Sequence, residues 1–80
     1  MTAEELRSAL LAFARGGDRA VLMGIALDAV VDAYERRDAV LEALAGDAVR
    51  VLSEQEHGDW TLEQARDQVG RMAQAPTDPG

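Results

Sequence analysis

Apolar residues recur along this chain every three to four positions, and no stretch of useful length alternates with period two. The pattern is helical throughout. Thr2-Ala3-Glu4-Glu5 forms a capping box, so a first helix is predicted from there to about Arg15. Leu6, Leu10 and Phe13 make its stripe, with Ala9 beside it, and Gly16-Gly17 stops it. Asp18 then caps a longer helix predicted to reach Ala45, just before Gly46. Two adjacent ridges carry its apolar side. One is Met23, Leu27, Val30, Tyr34, Leu41 and Leu44; the other is Leu22, Ala26, Ala29, Ala33, Val40 and Ala43. Asp28, Asp32, Glu35 and Glu42 fall on the opposite side, with Gly24 among the polar positions. Asp47 is expected to cap a third helix from Ala48 to about His57, ended by Gly58. Thr61-Leu62-Glu63-Gln64 is a second capping box. It opens a fourth helix to about Ala75, with Leu62, Ala65, Val69 and Met72 on one face and Pro76 as the stop.

The expected fold is therefore all-α: a small bundle of three to four helices, dominated by one long helix over about 18–45. Short loops make its neighbours antiparallel. Residues 1–75 form a single helical domain, and 76–80 read as a flexible C-terminal tail.

Arg37 disturbs this pattern. In a continuous helix it lies inside the apolar arc, between Tyr34 and Leu41, and Arg36 lies at its edge. An unpaired buried guanidinium is very costly. Either the helix bends near Arg36–Asp38, or the arginine pair sits where the bundle ends or meets a partner. A restart capped by Asp38 would leave only about seven residues before Gly46, and so short a helix is marginal. One long helix overhanging the rest is the preferred reading.

Composition narrows the function. The chain has 80 residues, and 15 of those counted as hydrophobic are Ala, which leaves a modest supply of large apolar side chains. Such a domain has a thin stability margin, favours help from a partner or from self-association, and has little room for an enclosed catalytic pocket. The absence of Cys excludes disulfides, zinc–thiolate sites and thiol chemistry. All eight basic residues are Arg against 15 acids, for a net charge of −7. The Ala-rich, Lys-free bias suggests a GC-rich bacterial genome. This sign of charge disfavours nucleic acid and anionic membranes, and fits a basic protein partner or a mimic of nucleic acid. The acidic N-terminus and the lack of a long uncharged run point to a cytoplasmic protein with no membrane span.

Individual constellations are weaker. Asp28, Asp32 and Glu35 read as a solvated face. Glu54 and His57 have the Glu-x-x-His spacing of carboxylate-bridged metal bundles, which a dimer would have to complete. His57 near a helix C-terminus also suits a capping role. Ser53 and His57 lack any sign of an oxyanion arrangement. Gly16-Gly17-Asp18 places a carboxylate where a phosphate would sit. No cofactor and no enzymatic activity are expected. Thr61–Gly70 resembles the first helix and turn glycine of a helix-turn-helix, but Pro76 leaves no room for a recognition helix.

The expectation is a non-enzymatic interaction module, of an antitoxin-like, inhibitory, regulatory or phage-accessory kind. It would bind a protein partner or itself, as a homodimer, through the long helix. Tyr34, Arg36, Arg37, Leu41, Leu44 and Trp60 are the candidate partner-binding residues, because aromatic and Arg side chains concentrate at binding hot spots. A dimeric DNA-binding regulator with a degenerate helix-turn-helix-like second half is the alternative. A metal-binding dimer using Glu54 and His57 is the third.

Overall fold

A computed structural model of the chain describes residues 1–74, so the expected tail over 76–80 lies outside the described residues. Four helices follow in order: α1 (Ala3–Ala14), α2 (Arg19–Arg36), α3 (Ala39–Glu56) and α4 (Leu62–Gln74). There is no strand among the described residues.

The caps form as their residue types require. Thr2 Oγ1 accepts from the Glu5 amide at 3.2 Å, and Glu5 Oε1 accepts from the Thr2 amide at 3.0 Å. Thr61 and Gln64 repeat this reciprocal pair at 3.1 and 2.9 Å. The Asp18 carboxylate accepts from the Ala20 amide at 2.7 Å and opens α2.

The single long helix over 18–45 is absent. The chain breaks at Arg37, whose φ of 55° and ψ of 41° place it in the left-handed region, and Asp38 caps α3 at once through the Leu41 amide at 3.1 Å. The restart is not marginal, because α3 has 18 residues rather than seven. Gly46 stays inside it and Asp47 caps nothing. A helical glycine costs about 1 kcal/mol, which a packed helix of five turns absorbs. The break also resolves the difficulty of Arg37 in an apolar arc: the left-handed turn swings its side chain into solvent. That turn costs a non-glycine residue about 1 kcal/mol. Arg37→Gly is accordingly expected to stabilise the fold by about 0.5–1 kcal/mol, read as a higher melting midpoint in urea with an unchanged slope.

Contacts between helix ends show antiparallel neighbours. The Met1 amine pairs with Asp32, which puts the start of α1 beside the end of α2. Arg19 meets Leu52, Gln55 and Glu56, which puts the start of α2 beside the end of α3. Arg7 meets Ala73, and Arg66 meets Phe13, so α1 and α4 also run oppositely. The closest pairings are α2 with α3 and α1 with α4, and α2 and α4 do not meet.

Leu6, Leu10 and Phe13 of α1, Leu41, Val51 and Leu52 of α3 and Val69 of α4 supply the bulk of the core. To this α2 adds one fully enclosed large side chain, Leu22, the methyl groups of Ala26, Ala29 and Ala33, and the partly buried Met23, Ile25 and Val30 at its edge. Small residues on that stripe let α2 approach its neighbours closely.

Three arginines act as fasteners between helices. Arg7 Nη1 donates to the Ala73 carbonyl at 2.9 Å, at the end of α4. Arg19 Nη2 donates to the Leu52 carbonyl at 2.9 Å, in the last part of α3, while its Nε donates to Gln55 Oε1 at 2.7 Å. Arg66 Nη1 donates to the Phe13 carbonyl at the end of α1 and to the Gly17 carbonyl at 3.1 Å, with its guanidinium 4.7 Å from the Phe13 ring centre. Each places a cation at the C-terminal, negative end of another helix.

Candidate interaction surface

The helix that sends mostly methyl groups into the core carries the most exposed apolar bulk among the described residues. Val21, Leu27, Val31 and Tyr34 of α2 are all exposed. Four of its outward positions and one alanine form a regular series: Ala20, Gly24, Leu27, Val31 and Tyr34, with spacings of four, three, four and three. All five are exposed, with Leu27 at 49%, Val31 at 58% and Tyr34 at 79%. This is the spacing of a helix-packing seam, running about 21 Å along α2. The buried stripe Leu22, Ala26, Ala29 and Ala33 has the same spacing on the other side. Thus α2 has two packing faces, of which α3 and α1 cover one. Met23 and Val30, at one border of the bare face, are partly buried against the core.

Gly24 stands in the middle of this outer face. A Cβ built there would meet nothing within 4 Å, so no packing inside the chain explains the glycine. An exposed backbone there allows a neighbouring helix to come close.

Charge borders the face unevenly. Asp28, Asp32 and Glu35 line one depression beside Val31, together with Met1. Glu35, Glu42 and Arg37 line another beside Tyr34. Asp32 is occupied: it pairs with the Met1 amine and with Arg36 Nε at 3.4 Å. The hydrogen bond from that amine, with the charges of Arg36 and the amine, holds the Asp32 carboxyl below its ordinary value. Asp28, Glu35 and Glu42 are exposed.

The residues singled out from the sequence are not brought together. Tyr34 and Arg37 lie at the exposed end of the seam, and Arg36 is exposed but faces Asp32 and the Met1 carbonyl. Leu41 and Leu44 are buried in the chain's own core, because the break at Arg37 folds α3 back onto α2. Trp60 is partly buried against the core ahead of α4. Glu54 pairs with Arg50 at 3.2 Å, and His57 Nδ1 lies 2.8 Å from the Ser53 carbonyl at the end of α3. No group of three or more His, Cys, Asp or Glu side chains is placed to hold a metal ion among the described residues. The segment resembling a helix-turn-helix is one continuous helix: Gly70 lies within α4, and a Cβ there would come within 3.3 Å of the Ala14 Cβ. Its glycine serves close packing on α1, not a turn.

Of the five seam residues only Tyr34 is among the partner-binding candidates read from the sequence; Leu27 is read there as part of an apolar ridge, and Ala20, Gly24 and Val31 are not assigned to the apolar side. The signal was present in the 4-3-4-3 spacing, but a second stripe with the same period masked it. No helix among the described residues is long and apolar enough to cross a membrane. Comparison with protein-family models, with curated proteins and with solved structures gives no match.

Proposed function

We propose that this chain is a non-enzymatic protein-interaction module, and that it docks its partner on the outer face of α2. One observation carries the reading: α2 has apolar stripes of helix-packing period on two sides, and the fold covers only one. Contiguous apolar surface of this kind is a common mark of an interface. The residues that serve docking are then Leu27, Val31 and Tyr34, with Gly24 allowing close approach and Arg37 at the end of the seam. Leu41 and Leu44 serve the fold. Inhibitory and regulatory proteins of this size commonly act by such occupancy of a partner's surface, without chemistry of their own.

Site-specific photo-crosslinking in the native host tests this. A crosslinker at Val31 is expected to give one discrete adduct, either with another protein or with a second copy, and Leu27→Glu is expected to abolish it. The same crosslinker at Glu63 on α4 provides the reference. Equal, diffuse labelling from both positions would remove α2 from the proposal.

A further inference from the structure

The charges beside the seam select what kind of helix fits on it. In a helix pair, the positions flanking the apolar seam face the partner's flanking positions and set partner choice by charge. With Gly24 and Val31 at one seam position and Ala20, Leu27 and Tyr34 at the other, one flank reads Val21, Asp28, Glu35. The other flank reads Met23 and Val30, since the left-handed turn takes Arg37 off the helix register. One border is thus acidic along two turns, and the other is apolar.

A second copy of the chain meets this surface badly. In an antiparallel pair each flank faces its own counterpart, so Asp28 and Glu35 confront the partner copy's acids. In a parallel pair each flank faces the opposite one, so Asp28 and Glu35 meet the apolar border of Met23 and Val30. Neither arrangement brings a border cation of the other copy to Asp28 or Glu35, Arg37 lies in one depression with Glu35 of its own chain, and each copy carries a net charge of −7. The chain's own cations are largely committed elsewhere. Arg7, Arg19 and Arg66 are spent on helix ends, and Arg36, Arg50 and Arg71 on carboxylates of their own helices.

Resting on the docking reading above, we infer that the occupant of the seam is an amphipathic helix of another protein, with Lys or Arg along the border that meets Asp28 and Glu35. Its apolar seam packs on Leu27, Val31 and Tyr34, and its backbone comes close at Gly24. The acids then contribute selection against uncharged or acidic helices as well as attraction.

The probe is a pair of synthetic 21-residue helical peptides with the same Leu/Ala seam, one flanked by Lys and one by Glu. Binding to the full chain is followed by fluorescence anisotropy, and the oligomeric state by sedimentation. The Lys-flanked peptide is expected to bind a monomeric protein one to one, at least tenfold tighter than the Glu-flanked peptide. Val31→Glu is expected to weaken it about tenfold although it adds negative charge, which separates seam docking from bulk attraction. Asp28→Asn with Glu35→Gln is expected to erase most of the preference for Lys. Gly24→Ala is expected to raise the melting temperature by about 4 °C, as an exposed helical glycine is removed, and yet to weaken the peptide. Because these positions are exposed, each variant is checked for folding by the same melt. Equal affinity for both peptides, lost on Val31→Glu, overturns the basic partner and leaves the docking face standing. Tighter binding to Val31→Glu overturns both. A wild-type dimer dissociated by Val31→Glu would make a second copy the occupant.

Discussion

Leu41→Asp is expected to unfold the protein, not to detach it from a partner. Leu41 is fully buried on the first turn of α3, where Asp38 caps the helix and the chain turns back on α2. Removing a buried leucine side chain costs about 2–5 kcal/mol in lost burial and cavity together. An unpaired carboxylate in that space adds several kcal/mol more. A domain of 80 residues has a total stability on the order of 4–12 kcal/mol. Helical circular dichroism at 25 °C should be lost or much reduced, whereas Leu41→Ala should keep it with a lower melting point. Native-like melting of Leu41→Asp would contradict the placement of α3.

The second large effect is expected at Arg66. Its guanidinium serves the Phe13 and Gly17 carbonyls and lies against the Phe13 ring, at the point where α1, the Gly16-Gly17 turn and α4 come together. Hydrogen bonds from a charged group contribute about 1.5–3 kcal/mol, and the ring contact somewhat less. Arg66→Ala should therefore destabilise by about 2–3 kcal/mol in urea titration. Arg66→Lys should recover less than half of this, because a single ammonium cannot span two carbonyls while stacking on the ring. Full recovery by Lys would show that charge at the helix end matters and fork geometry does not. The same logic applies to Arg7 and Arg19, which also work in partly buried places where directed donors count.

Much of the fold is legible from local chemistry. The capping boxes at Thr2 and Thr61 and the Asp18 cap form from residues three or fewer apart, and local sequence suffices to specify them. The middle of the chain is different. Gly46-Asp47 has the look of a stop and a cap, yet the helix runs through it, because packing of Leu44, Ala45 and Ala48 outweighs one glycine. Arg37 has no intrinsic preference for a left-handed conformation, so the true corner carries little signal beyond Asp38. The arginine fasteners are invisible for another reason: Arg66 and Phe13 are 53 residues apart, and only the folded chain brings them together. The candidate surface was half legible. The pattern puts Tyr34 beside the exposed stripe, whereas Leu41 and Leu44 join it only in an unbroken helix, and the break at Arg37 buries both.

The alanines of α2 have a further consequence, which concerns how the helix is set about its own axis. Both stripes are apolar and share one period, and the acids Asp28 and Glu35 beside the outer one already disfavour turning it inward. Volume acts in the same sense. The space between α2 and its neighbours accepts methyl groups at Ala26, Ala29 and Ala33. Rotating the helix would force Leu27, Val31 and Tyr34 into that space, and overfilling a close-packed interior is itself destabilising. The outward stripe is thus held outside by steric exclusion, and its exposure is a property of what the interior is too narrow to admit.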